Sequence, residues 1–300
     1  MITYNKTFYE NPVNSYLLSL DSPNNVMTNK ATLRRICKKL SGNSDYNAFA
    51  WHELDYGAAL FVKNWLITQE LSPNSINTYL STLKGVAREL WKQKAITGDE
   101  YHHIKEACKV KGSRLGTGRA LKKGEIFTLF DYCYGFGAIG YRNAAIIALG
   151  YGSGLRISEL SQLNTENYLN GDFRIIGKGN KERINPIPKQ AKKVIDKWLL
   201  WRGEHNGPLF VHFRRGNNIT TKRLTPKAIG RIISETAQHS GIDKLKPHDL
   251  RRSFATNLIS NGVDLFTVQS LMGHSNLETT RRYDMRGEII KNEAVEKLVF

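Results

Sequence analysis

Asp172-Phe-Arg-Ile-Ile-Gly-Lys-Gly-Asn-Lys-Glu-Arg-Ile-Asn-Pro-Ile187 decides the fold. Apolar and polar side chains alternate on either side of a Gly-Lys-Gly-Asn turn, the two-residue period of a β-hairpin. On both flanks the period changes to that of helices. Tyr141 to Tyr151 is an apolar helix ending at Gly152 and Gly154, and a second helix starts near Leu155 and carries Arg156, Glu159, Leu160 and Leu163. After the hairpin, Lys189 to Trp201 is helical. Thr225-Pro226 opens a helix with Ile229, Ile232 and Ile233 inside and Lys227 and Arg231 outside. Pro247 to Ile259, Asp264 to Met272, Asn276 to Tyr283 and Glu288 to Phe300 follow as helices. The expected fold class is mainly α, with one small hairpin or sheet inside a mostly helical domain.

Further toward the N-terminus the patterns are helical throughout. Ser72-Pro73 is an N-cap followed by proline at the first helical position. Ile76, Tyr79, Leu80, Leu83, Val86, Ala87, Leu90 and Trp91 then form one stripe expected to be buried. Asn77, Ser81, Lys84, Arg88 and Lys92 occupy the other side, which is either an ordinary wet face or one that enters a DNA major groove. Asp45 to Glu70 and Thr97 to Cys108 read as further helices. Between the two helical regions runs Lys109-Val-Lys-Gly-Ser-Arg-Leu-Gly-Thr-Gly-Arg119, glycine-rich, basic and without apolar periodicity. The division expected is an all-helical domain over 1–110, a linker over 111–118 and a second domain over 119–300.

A length of 300 residues suits two domains. The chain holds 44 Lys and Arg against 27 Asp and Glu, a net charge of +17. Residues 1–114 carry +5 of it and residues 115–300 carry +12. Such an imbalance concentrates polyanions at the surface and points to nucleic acid. Cys37, Cys108 and Cys133 are too far apart for a CxxC or Cys/His cluster, which argues against a disulfide framework and a structural zinc site. The first residues contain no apolar signal-peptide core, and the apolar run Ala144 to Gly152 is too short to span a membrane. A cytoplasmic protein with no membrane partner is expected.

Four segments carry the chemistry: Gly154-Leu-Arg-Ile-Ser-Glu-Leu160, Ile176-Gly-Lys-Gly-Asn-Lys-Glu-Arg183, His248-Asp-Leu-Arg-Arg-Ser-Phe-Ala-Thr256 and Leu271-Met-Gly-His-Ser-Asn-Leu-Glu-Thr-Thr-Arg-Arg-Tyr283. Arg156 and Arg251 offer planar, permanently charged forks that can grip a phosphate bidentately. His248 and Arg251 are three apart on a helix and share a face. Leu250, Phe254, Leu258 and Ile259 anchor that helix to the core. Lys178, at the hairpin tip between glycines, can reach a leaving oxygen as general acid, and Lys181 competes for that role. No acidic cluster resembles a two-metal site, and no P-loop is present.

The order and spacing of these segments resemble the tyrosine recombinase, or phage-integrase-type, family over about residues 120–290. In size and layout the chain is most similar to Xer-type recombinases and compact mobile-element integrases. The resemblance implies that Arg156 and Arg251 hold the scissile phosphate and that His274 also contacts it. It makes Tyr283 the nucleophile, Lys178 the acid on the leaving 5′-oxygen and His248 an acid/base group beside Tyr283. Glu159 either orients the site or forms a simple helix ion pair. A phenol, with a pKa near 10, needs a base or nearby cations to attack at neutral pH.

The function so implied is a site-specific DNA recombinase that works through a 3′-phosphotyrosyl intermediate, with no cofactor, metal or ATP. Its partners would be a double-stranded DNA recombination site, enclosed by the two domains as a C-shaped clamp, and further copies of itself, as dimers and tetramers on DNA. The alternatives are type IB topoisomerase-like relaxation and a non-catalytic DNA-binding regulator. The amphipathic tail, Glu288 to Phe300, either folds onto its own domain or docks on a neighbouring protomer.

Overall fold

The computed structural model describes residues 10–112, 118–177, 182–274 and 276–284. The chain forms two compact units, Met1–Gly116 and Thr117–Phe300. The linker residues 113–117, Lys178 and Lys181 at the hairpin tip, and the tail Glu288 to Phe300 lie outside the described residues.

The first unit contains α1 (Pro12–Leu18), α2 (Pro23–Ser41), α3 (Tyr56–Thr68), α4 (Pro73–Lys92) and α5 (Gly98–Ala107). Helix α4 starts where its cap dictates: the Ser72 hydroxyl accepts the Ser75 N–H at 3.2 Å, with Pro73 at the first position. Ile76, Leu80, Leu83, Val86, Ala87 and Leu90 are each no more than 3% exposed and meet Leu33, Ile36, Val62 and Leu66 in one core. Tyr79 and Trp91 depart from the expected buried stripe. Tyr79 is half-buried, and Trp91 is 45% exposed and stacks on Tyr101 with ring centres 5.4 Å apart. On the polar side, Asn77 accepts the Val110 N–H at 3.0 Å and donates to the Val110 carbonyl at 2.9 Å, so its amide fastens the chain end of this unit.

The helix expected over Asp45 to Glu70 is shorter. The Asn43 and Asp45 side chains accept the N–H groups of Asp45 and Asn47, a local bonding that competes with helix formation. A 3₁₀ turn at Trp51–Glu53 follows, and α3 begins only after the Asp55 cap.

The second unit is built on α7 (Gly137–Gly152), an apolar helix buried on all sides from Ala144 to Leu149. Around it pack α6 (Lys123–Tyr134), α9 (Lys189–Arg202), α10 (Pro226–His239) and α11 (Pro247–Ser260). The short α8 (Ile157–Gln162), α12 (Leu265–Met272) and α13 (Leu277–Arg281) complete the α-helices of the described residues, with a 3₁₀ turn at Thr165–Asn167. The expected hairpin is β2 (Asp172–Ile176) against β3 (Glu182–Asn185), antiparallel, with Ile175 opposite Arg183. Strand β1 (Tyr168–Leu169) adds a third member.

A second sheet, β4 (Val211–Arg214) with β5 (Asn218–Arg223), corrects the expectation of a single one. Its strands are polar enough to hide the alternation. Its turn, however, holds Gly216 at φ 78° and Asn217 at φ 60°, the positive angles that a tight hairpin requires.

The described cysteines are free and buried, and burial pushes the Cys37 and Cys133 thiols up to about 12 and Cys108 to about 11. Among the described residues no helix is long and apolar enough to cross a membrane.

Candidate active site

Three connections built into the fold bring the expected residues together. The first is the turn after α7. Gly154 has φ +62° and lies so close to α11 that a Cβ there would meet the Phe254 ring at 2.4 Å. Only glycine fits, and its carbonyl accepts a hydrogen bond from Nη1 of Arg251. The second is α11, which carries His248 and Arg251 on one face with Leu250 and Ile259 buried behind them. The third is Gly273, at φ +60° after α12, whose carbonyl accepts Nη2 of Arg156 at 3.0 Å.

Arg251 is 2% exposed. Beyond Gly154, its Nη2 donates to the Met272 carbonyl and to Nε2 of His274, both at 2.7 Å. Burial, then repulsion from Arg156, pulls its guanidinium down to about 10, so it remains charged at neutral pH. Arg156 caps α8. Its backbone N–H donates to Oε2 of Glu159 at 2.8 Å and its Nη1 to Oε1 at 3.0 Å. Burial raises the Glu159 carboxyl, but hydrogen bonds from Arg183 and from the Arg156 N–H outweigh it and hold the group ionised.

The two imidazoles are neutral. Burial, then the charges of Arg251 and Arg156, pushes His274 down to about 4. Because Nε2 of His274 faces a guanidinium donor, it must accept, which places the ring proton on Nδ1, 2.8 Å from the Thr280 hydroxyl. His248 is likewise lowered by burial and by Arg251 and Arg252. Its Nε2 lies 3.1 Å from the hydroxyl of Tyr283. A neutral imidazole within hydrogen-bond reach of a phenol hydroxyl is a geometry suited to a general base and its nucleophile.

Tyr283 is 5% exposed and packs with Ala255, Ile259, Val268 and Met272. The Arg252 guanidinium sits 5.6 Å from the centre of its ring. Among the described residues, the guanidiniums of Arg156, Arg183, Arg251 and Arg252 thus stand against the carboxylates of Glu159 and Asp249 and two neutral histidines. The pocket is cationic, suited to a phosphate gaining charge. Among the described residues no group of three or more His, Cys, Asp or Glu could hold a metal ion.

The Phage integrase family matches residues 119–286, which include every one of these groups. The tyrosine recombinase XerC of Syntrophus aciditrophicus is 32% identical over 247 residues, 78% of this chain and 76% of that protein. The chain belongs to the phage integrase family. It is a tyrosine-type site-specific recombinase.

The tyrosine recombinase XerA of Pyrococcus furiosus is 40% identical to this recombinase over 159 residues, 52% of this chain and 54% of that protein. In fold, the recombinase is similar to the Tn1549 transposon integrase in complex with circular intermediate DNA, with a TM-score of 0.70 at 15% identity over 97% of this chain and 99% of the other. It is also similar to the XerH recombinase bound to difH substrate in a post-cleavage complex, with a TM-score of 0.66 at 20% identity over 97% and 94%.

In the recombinase, Arg156, His248, Arg251, His274 and Tyr283 converge from three separate segments. Lys178 belongs to the same expected set and lies outside the described residues, as does Lys181. Three participants went unnoticed in the sequence. Arg183 pairs with Glu159, Arg252 covers the Tyr283 ring and Thr280 partners Nδ1 of His274. Their signal was only proximity to the four segments, because their partners are distant in sequence.

Proposed function

We propose that the recombinase cuts and rejoins duplex DNA with Tyr283 as nucleophile and Arg156, Arg251, His248 and His274 around the scissile phosphate. The carrying observation is the Tyr283 hydroxyl 3.1 Å from Nε2 of a neutral His248, inside a pocket of guanidiniums. The phenol oxygen attacks phosphorus, and His248 takes its proton. The bond from phosphorus to the 5′-oxygen breaks, and that oxygen leaves as a hydroxyl after gaining a proton from Lys178. The arginines offset the charge that builds on the phosphoryl oxygens. The product is a 3′-phosphotyrosyl link that keeps the bond energy, so rejoining to a second 5′-hydroxyl needs no ATP.

In this reading both units contact the duplex, the first as a core-binding domain and the second as the catalytic one. Four protomers exchange strands between two sites, and the tail Glu288 to Phe300 engages a neighbouring protomer. The proposed setting is the cytoplasm, where the DNA is. The test is a nicked suicide duplex cut from the DNA flanking the coding sequence. An SDS-resistant adduct on Tyr283 is expected, and its absence would overturn the reading.

A further inference from the structure

We infer that Arg183 is a positioning residue that fixes the reach of Arg156 into the pocket through the carboxylate they share, Glu159. The inference rests on the proposed role of Arg156 at the scissile phosphate.

The geometry is specific. Arg183 stands on β3, opposite Ile175, and its Nη1 and Nη2 donate to Oε1 and Oε2 of Glu159, each at 3.2 Å. Glu159, 7% exposed, therefore receives four donors, two from Arg183 and two from Arg156. The Arg183 side chain is only 17% exposed, and its Nε is buried without a hydrogen-bond partner among the described residues. Such a group is costly to bury and persists where the surroundings over-determine it.

Arg183 also touches the other anchor of Arg156. A Cβ on Gly273 would come within 3.0 Å of Nη1 of Arg183, so the Gly273 peptide rests against this guanidinium while its carbonyl receives Nη2 of Arg156. One side chain thus braces both acceptors that orient Arg156. Without Arg183, the buried Glu159 keeps one cationic partner. Arg156 is then drawn toward a full two-pronged pairing with Glu159 and away from the phosphate.

The experiment uses the full chain and the nicked suicide duplex, with either an ordinary scissile phosphate or a methylphosphonate, which lacks one negative oxygen. Arg183→Lys and Arg183→Met are compared with wild type, Arg156→Lys and the double variant Arg156→Lys/Arg183→Lys. On phosphate, Arg183→Met should lose about a hundredfold in single-turnover cleavage, the scale of one displaced electrostatic stabiliser, and Arg183→Lys, which keeps the charge but not the fork, a smaller factor. DNA binding should be unchanged. On the methylphosphonate most of that loss should vanish, because less charge awaits Arg156. The double variant should be no slower than Arg156→Lys, since both act along one path.

Equal losses on both substrates, additive losses in the double variant, or wild-type rates would overturn the inference. So would failure of both Arg183 variants to fold, which would make the residue merely structural. A wild-type protein that forms no adduct would instead overturn the reading beneath it.

Discussion

The hydroxyl of Tyr283 and Nε2 of His248 form a hydrogen-bonded pair 3.1 Å apart, although 35 residues separate them in the chain. The pair joins the last described segment to the N-terminal turn of α11, and it orders the expectations for the site.

Tyr283→Phe removes the attacking oxygen and almost no volume. Binding to the DNA site should persist while the covalent adduct disappears, as read by gel shift and by denaturing gel. Adduct formation by this variant would point to another tyrosine.

The two clamp arginines should respond differently to lysine. The Arg156 side chain is 35% exposed, so Arg156→Lys should fold normally and lose about a hundred- to thousandfold in cleavage rate. Arg251 is fully buried with three acceptors, so Arg251→Lys should lose rate and also destabilise the second unit by about 3 kcal/mol. Thermal melting separates the two cases. Equal melting temperatures would contradict the burial argument.

Lys178 is tested by chemistry. A 5′-bridging phosphorothiolate has a sulfur leaving group that needs little protonation. Lys178→Ala should be slow on ordinary DNA and largely rescued on this substrate, and Lys181→Ala should show neither effect. Rescue of the Lys181 variant alone would exchange their roles.

The pH dependence follows from the buried imidazoles. His248 must be neutral to accept the phenol proton, and its value lies below the usual 6.5. The acid limb of the cleavage profile should therefore fall below pH 6.5, and its appearance above that value would sink His248 as base. His274 adds a stability effect. Unfolded, it takes a proton near 6.5, whereas folded it resists until about 4. The unfolded state binds more protons inside that window, so stability should drop as pH falls through it and level off beneath. His274→Gln should flatten the slope of melting temperature against pH.

Deleting residues 287–300 tests the tail. One protomer should still bind a half-site, whereas cooperative loading of a second and strand exchange should fail. Recombination by the truncated chain would deny the tail a coupling role, and an insoluble monomer would assign it to its own domain.

Much of the fold was legible because its signals are local. The Ser72 cap, the proline starts of α4, α10 and α11, and the alternation around Gly177 each need only neighbouring residues. Polar local bonding hid the real start of α3, and a run of Arg, Thr and Lys hid β4 and β5. In the site, the motif segments already held Arg156, His248, Arg251, His274 and Tyr283, which the fold brings together. Arg183, Arg252 and Thr280 could not be singled out, because what defines them is a buried carboxylate, an aromatic face and a ring nitrogen supplied by other parts of the chain.

The packing of Tyr283 has one more consequence. With its ring enclosed by Ala255, Ile259, Val268 and Met272, the oxygen that would sever DNA is screened from the solvent. Apolar side chains hold the ring, while His248 and the Arg252 guanidinium are polar groups that meet it. A substrate that is to meet this oxygen must therefore enter a pocket already walled by those side chains, and a short run of methyl groups sets how narrow the approach is.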